Sequence, residues 1–160
     1  MRQSATARST PSRTSRQGWQ DGPKLADLEA PHDQPFQAAF APDLLQVREM
    51  RRATRILLRR KGVPEPTIDD AELVVSELVT NAIQHGGSGG EVCFCVSASN
   101  GMVRVSVTDQ NSVPAVPKQV GTEAESGRGL MLVAAIADQW CISEDGTTVH
   151  CALAVPERVA

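Results

Sequence analysis

The amino-acid sequence predicts an α+β fold, in which a mostly antiparallel sheet is covered by helices on one face to form a two-layer sandwich. Two observations lead to this prediction. Strand-like segments are joined in pairs by hairpin signals, Asn100-Gly101 in one pair and Asp145-Gly146 in the other. Three amphipathic helical patterns alternate with these hairpins, and their apolar stripes need a surface to cover. The order along the chain is helix, helix, hairpin, loop, helix, hairpin.

Residues 1–36 are predicted to be a disordered basic tail and linker. The first 20 residues contain four arginines and no acidic residue, and they have few apolar residues. No apolar run is long enough for a secretory signal or a membrane span, so we expect a cytoplasmic protein. The chain of 160 residues suffices for one domain, which we assign to residues 37–156, with a short tail at 157–160.

The first predicted helix runs from an N-cap at Asp43 to Lys61, where Gly62 and Pro64 stop it. One face of this helix is rich in arginine. A charged helix face is usually solvated, but these arginines could also dock an acidic protein surface or nucleic acid. Direct binding of nucleic acid is disfavoured because the domain that follows the tail is net acidic. The apolar arc contains Leu45, Val47, Met50, Ala53, Ile56 and Leu57, and the basic arc contains Arg48, Arg51, Arg52, Arg55 and Arg59.

The second predicted helix begins at Thr67 and ends near His85, before the glycine-rich residues 86–90. Glu77, Asn81 and His85 follow one another at four-residue steps and form a polar stripe on this helix. At about 100° per residue the stripe drifts toward the apolar face, with Glu77 outside it and His85 inside it. A carboxylate and an amide at the border of a core need partners. The stripe therefore either binds an ion or ligand, or is satisfied by protein and water.

Alternating apolar and polar residues predict four strands, and an apolar pattern near the C-terminus predicts a third helix. The four cysteines form no CxxC pair and lie in strand patterns, so we expect buried thiols in a reducing compartment. The strands are predicted at 91–98, 102–108, 140–143 and 147–155, the loop at 110–126, and the third helix from about 129.

Three features could converge on one cavity: the polar stripe, Asp109 at the end of a strand, and Gly127-Arg128-Gly129 opening the third helix. Glycines allow close approach of a phosphate, and a helix N-terminus offers N–H groups to it. Asn81 could offer a carbonyl oxygen to a hard cation such as Mg²⁺. Glu77 could accept a proton from an attacking hydroxyl, and Asp109 could accept a hydrogen bond from the exocyclic amine of a base.

These motifs resemble a known family. The segment 76–86 resembles the N box of the GHKL ATPase superfamily, and more narrowly that of the bacterial anti-sigma-factor serine kinases of the RsbW and SpoIIAB type. Residues 107–109 resemble the first glycine box of that family, 126–130 the second, and 146–149 its final Thr-containing strand. The likeness covers roughly residues 36–156, with the motifs in the family's order. In the first glycine box, however, Asn111 stands where the family has a glycine.

The resemblance implies a Bergerat fold that binds ATP and Mg²⁺. By motif position, Asn81 would bind Mg²⁺, Glu77 would be the general base of a serine/threonine protein kinase, and Asp109 would contact adenine. The family's kinases bind a sigma factor and phosphorylate a serine of an anti-anti-sigma factor, and its dimeric members suggest a homodimer. The implied nucleotide-binding residues are Asn81, His85, Asp109, Asn111, Gly127, Arg128, Gly129, Leu130, and Thr147 or Thr148.

A second hypothesis is a non-catalytic ATP-binding module that sequesters a regulatory partner. Glu77 favours catalysis without deciding it, because a carboxylate can also serve the fold. Asn111 favours the second hypothesis, since a missing glycine restricts the backbone near adenine. A sensor histidine kinase is disfavoured, because no membrane segment or dimerisation and phosphoacceptor domain fits in the sequence.

Overall fold

A computed structural model of the chain describes residues 34–85, 90–110 and 125–157. The described elements are β1 Phe36–Phe40, α1 Leu45–Arg60, α2 Glu65–His85, β2 Val92–Ser99, β3 Met102–Asp109, α3 Glu125–Ile136, β4 Gln139–Ile142 and β5 Thr148–Ala154. The strands form one antiparallel sheet in the order β1-β2-β3-β5-β4. This arrangement confirms the predicted α+β class. The tail predicted for the N-terminus lies almost entirely outside the described residues.

The core lies between one face of the sheet and the helices. The alternation that predicted β2 and β3 also decides which of their side chains enter it. In β3, Val103, Val105 and Val107 are buried, while the residues between them are exposed or half-buried. Helix α2 crosses this face and contacts β2, β3 and β5 as well as the other two helices. Its buried apolar residues recur at helical spacing and form the apolar face of the helix: Ile68, Ala71, Val74, Val75, Leu78, Val79 and Ala82.

Both predicted hairpins are present. Asn100 and Gly101 have φ values of 52° and 69°, the left-handed conformation that a two-residue hairpin turn requires. In the second hairpin, Asp145 accepts hydrogen bonds from the Ser143 hydroxyl at 2.5 Å and from the backbone and hydroxyl of Thr147 at 3.1 and 2.9 Å. The bond from Ser143 and those from Thr147 lower the pKa of the Asp145 carboxyl.

Strand β1 is absent from the sequence-based prediction. Its residues Phe36, Ala38 and Phe40 are buried, and it pairs with β2 at the edge of the sheet. The alternation is visible in the sequence, but it extends over only 5 residues between Pro35 and Pro42. So short a period-two pattern is a weak signal.

The cysteines are less uniformly buried than expected. Cys151 in β5 is buried, and its burial raises the pKa of the thiol to about 12. Cys93 and Cys95 in β2 are half-buried, and burial also raises the pKa of Cys95. Cys141 is exposed in the edge strand β4, which contradicts the prediction for this residue. An edge strand has a neighbour on one side only, and its side chains are less covered.

Ion pairs join the basic arc of α1 to α2. Arg55 donates to Glu72 from Nε at 2.9 Å and also from Nη2, and it reaches Glu65 at 3.1 Å and Asp69 at 2.7 Å. Arg59 donates from Nε to Glu65 at 2.7 Å. The hydrogen bonds of Arg55, above all those to Glu72, raise the pKa of its guanidinium. These contacts fix the C-terminal half of α1 to the first half of α2.

The basic arc is therefore divided. Arg55 and Arg59 are occupied by the carboxylates of α2, whereas Arg48, Arg51 and Arg52 are exposed. Within the described ranges, these three make no ion pair. Leu45, predicted to lie on the apolar arc, is 72% exposed because it begins the helix beyond the core. The N-terminal half of α1 thus presents three arginines beside an apolar side chain.

Candidate functional site

The polar stripe of α2 divides into two half-buried residues and one exposed residue. Glu77 and Asn81 lie about one turn apart and are both half-buried. His85 is the last residue of α2 and is exposed, although the helical period placed it inside the apolar arc. The helix ends at this residue, so the core does not continue beneath it.

Glu77 and Asn81 converge on the backbone of α3 at Gly129. A Cβ atom built on Gly129 would lie 2.7 Å from Glu77 Oε2, 3.0 Å from Asn81 Nδ2 and 3.4 Å from Asn81 Oδ1. These are the three nearest atoms, and all belong to the polar ends of the two side chains. The structure therefore brings together two of the three features that were predicted to converge, the polar stripe and the Gly127-Arg128-Gly129 segment.

Helix α3 begins at Glu125, so Gly127-Arg128-Gly129 lies within the helix and does not open it as predicted. Glycine is a poor helix former, but tertiary packing overrides such preferences. Arg128 is exposed, Gly129 is buried, and Leu130 packs against the core. The first turn, whose N–H groups have no partner inside a helix, includes Gly127 and Arg128.

A second group of predicted residues meets where β3 and β5 pair. The backbone N–H of Asp109 donates to the carbonyl of Thr147 at 3.0 Å. Asp109 continues the alternation of the buried residues of β3, which places it on the helix-covered face of the sheet. Thr148 lies on the opposite face, where its hydroxyl is 2.8 Å from that of Thr108. Of the two threonines left open by the sequence, Thr147 is therefore the one on the face of Asp109.

The side chains that meet at Gly129 suit a hard cation that also binds phosphates. Asn81 Oδ1 is an oxygen donor of the kind that Mg²⁺ prefers. Among the described residues, no group of three or more His, Cys, Asp or Glu side chains could hold a metal ion. Mg²⁺ usually takes one or two protein oxygens and completes its shell with water and substrate phosphates, so the donor set fits that mode. Asn111 lies outside the described residues.

The sequence predicted that the stripe and Gly127-Arg128-Gly129 could converge, but not that Gly129 itself would contact Glu77 and Asn81. The sequence marked Gly129 as a flexible residue near a phosphate, but no local pattern indicates which helix it will touch. That contact depends on how α3 packs against α2. The described part of the chain contains no helix long and apolar enough to span a membrane.

Comparisons with known proteins agree with this architecture. The family model described as "Histidine kinase-like ATPase domain" matches residues 40–152, which include every candidate site residue. An uncharacterized protein of Streptomyces coelicolor is 35% identical over 75 residues, which are 45% of this chain and 71% of that protein. The crystal structure of the RsbU and RsbW domains of a Mycobacterium tuberculosis protein is similar in fold, with a TM-score of 0.57 and 22% identity. That similarity covers 75% of this chain but only 31% of the solved one.

Proposed function

The chain belongs to the histidine kinase-like ATPase domain family, and from this premise we propose that it is an ATP-dependent serine protein kinase and anti-sigma factor. In this proposal the protein, acting as a homodimer, binds a sigma factor and so regulates transcription. It also phosphorylates a serine of an anti-anti-sigma factor. The fold similarity to a protein with RsbU and RsbW domains supports this choice within the family.

The observation that carries the proposal is the convergence of Glu77 and Asn81 at Gly129. Asn81 Oδ1 would bind Mg²⁺, and Glu77 would take the proton from the attacking serine hydroxyl. Bound Mg²⁺–ATP would supply the phosphoryl group, and its metal would neutralise developing charge. Glu77 has no hydrogen bond or ion pair within the described ranges, so its carboxylate can act as a proton acceptor.

The second group of residues would bind the base. The Asp109 carboxylate would accept a hydrogen bond from the exocyclic amine of adenine, with Thr147 beside it on the same face of the sheet. Gly127 and Arg128, in the first turn of α3, would face the phosphates. His85, Asn111, Leu130 and Thr148 complete the set that family resemblance implies, and of these Thr148 has the weakest support because it lies on the opposite face.

The exposed half of the basic arc is the proposed docking surface for an acidic region of a protein partner. Arg48, Arg51 and Arg52 are exposed, whereas Arg55 and Arg59 are already paired with α2. Complementary charge steers association and selects partners. Nucleic acid is a weaker candidate, because the pairing removes two of the five arginines on which that hypothesis depended.

A non-catalytic ATP-binding module that sequesters its partner is the second candidate. Asn111 in place of a family glycine favours it, because the backbone near adenine is then less free. This module would bind ATP and its partner without transferring phosphate. The two functions therefore differ at the transfer step.

Isothermal titration of ATP, with and without Mg²⁺, tests the nucleotide site first. We expect wild type to bind ATP with a dependence on Mg²⁺ and Asn81→Ala to lose that dependence. Gln84→Ala is the matched control, since it removes an exposed amide from the same helix. Equal ATP affinity in wild type and Asn81→Ala would contradict the role of Asn81. Binding without transfer of the γ-phosphate to an anti-anti-sigma factor would select the second candidate.

A further inference from the structure

We propose that Gly129 is a positioning residue, which keeps the Glu77 carboxylate and the Asn81 amide in place because it has no side chain. The inference rests on the proposed function, in which those two groups act on the nucleotide and the serine. It gives Gly129 a task different from the phosphate contact that family resemblance implies. The task is to provide the space that the two polar ends occupy.

The spacing around Gly129 leaves no room for a methyl group. A Cβ on Gly129 would lie 2.7 Å from Glu77 Oε2, which is closer than the Cβ atoms of proteins approach other heavy atoms. Its distance of 3.0 Å from Asn81 Nδ2 would also be unusually short. The three nearest atoms are all at the ends of flexible side chains, and none belongs to a backbone. An added methyl would therefore displace Glu77 and Asn81 before it separated the helices.

The packing of α3 strengthens this conclusion. Val133, one turn after Gly129, is fully buried, and Leu130 and Ile136 pack against the core. Moving α3 away from α2 would expose these apolar side chains, which is unfavourable. Rotation of the Glu77 and Asn81 side chains is the smaller change. The substitution Gly129→Ala should therefore leave a folded protein with a displaced carboxylate and amide.

The matched control is Gly90→Ala. A Cβ on Gly90 would meet Gln110 Cβ at 3.5 Å, an ordinary contact, and φ at Gly90 is not in the left-handed region. The control therefore adds the same methyl at a position with room for it. The comparison separates the space at Gly129 from the general effect of replacing a glycine.

The first measurement needs no catalytic activity. The side-chain amide of Asn81 gives a ¹H–¹⁵N signal, assigned by its loss in Asn81→Asp. We expect Gly129→Ala to shift this signal and Gly90→Ala to leave it unchanged. The second measurement is phosphoryl transfer, where misplacement of a reacting group by about 1 Å can reduce the rate about 100-fold. Gly129→Ala should reduce kcat by that order, with a smaller change in the KM for ATP.

An unchanged Asn81 signal in Gly129→Ala would overturn the inference. If wild type transfers no phosphate, the proposed kinase function fails, but the amide signal still decides the placement. If Gly129→Ala lowers Tm, the double variant Glu77→Ala, Gly129→Ala decides. Recovery of Tm would show that the methyl collides with Glu77, and no recovery together with an unchanged Asn81 signal would place the collision at neither side chain and overturn the inference.

Discussion

Two carboxylates of α2, Glu72 and Glu77, occupy opposite kinds of environment. Glu72 is buried and accepts hydrogen bonds from Nε and Nη2 of Arg55, and Nη2 also donates to Asp69. Glu77 is half-buried and lies against the backbone of α3 at Gly129, without a cation within the described ranges. One helix thus carries two kinds of carboxylate: Glu72 is paired with a protein cation and joins α2 to α1, whereas Glu77 is the carboxylate to which the proposed function assigns the role of general base.

The same distinction applies on the sheet. Thr148 is hydrogen-bonded to Thr108 on the face of the sheet opposite the described helices. Thr147 lies beside Asp109 on the covered face. Residues of one type thus differ in what they can contact, and each pair offers a matched comparison between a position with a structural partner and a position in the proposed site.

The largest expected effect follows from replacing Glu77. Glu77→Gln should lower the rate of phosphoryl transfer by about 10²–10⁴-fold, because general-base catalysis contributes that much. ATP affinity should change little, because the amide keeps the shape of the side chain. Steady-state kinetics and titration of ATP measure the two quantities. Transfer at the wild-type rate would remove Glu77 from the mechanism and leave positioning and the metal to carry the step.

The next effect concerns stability. Glu72→Ala should lower Tm by several degrees, because it leaves Arg55 without its main partner and opens a space in the α1–α2 interface. Thermal unfolding followed by circular dichroism measures the change. Arg51→Ala is the control, because Arg51 is exposed and makes no ion pair in the described part of the chain. An equal loss of Tm in both variants would contradict the structural role given to Glu72.

The threonine pair should show a smaller effect. The Thr147 hydroxyl donates to Asp145 and can still accept one hydrogen bond, so Thr147→Val is expected to weaken ATP binding by up to about tenfold, the loss expected for one neutral hydrogen bond. Thr148→Val should leave the affinity near that of wild type, because its hydroxyl lies on the other face. Titration of ATP into both variants gives the comparison. A larger loss in Thr148→Val would reverse the assignment of the two residues.

The smallest effect concerns pH. The hydrogen bond from Arg59 lowers the pKa of the Glu65 carboxyl below its ordinary value of 4.5. A depressed pKa in the folded state gives stability that is present above the unfolded value and is lost as pH falls through the folded value. Glu65 and Arg59 are both exposed, so the effect is small. Tm measured below pH 4.5 should therefore fall slightly less in Glu65→Gln than in wild type.

Local patterns in the sequence predicted the elements better than their contacts. The apolar period of α2 and the Asn100-Gly101 turn each depend on a few neighbouring residues, and the structure confirms both. The contact of Gly129 with Glu77, by contrast, depends on how two distant helices pack. For the same reason the sequence showed an arc of arginines but not which of them α2 would neutralise. His85 was misplaced because a periodic pattern does not show where the core beneath a helix ends.

The cysteines differ in exposure, so their rates of alkylation can report on opening of the sheet. Exposed Cys141 should react with an alkylating reagent in the folded protein, whereas buried Cys151, with its thiol pKa of about 12, should react only when the strands around it separate. Cys151 pairs with Val105 on one side and Trp140 on the other, so its labelling reports on the centre of the β3-β5-β4 half of the sheet. Mass spectrometry of the alkylated protein would then follow native-state opening over time without any substitution in the chain, in the same preparation used for nucleotide binding.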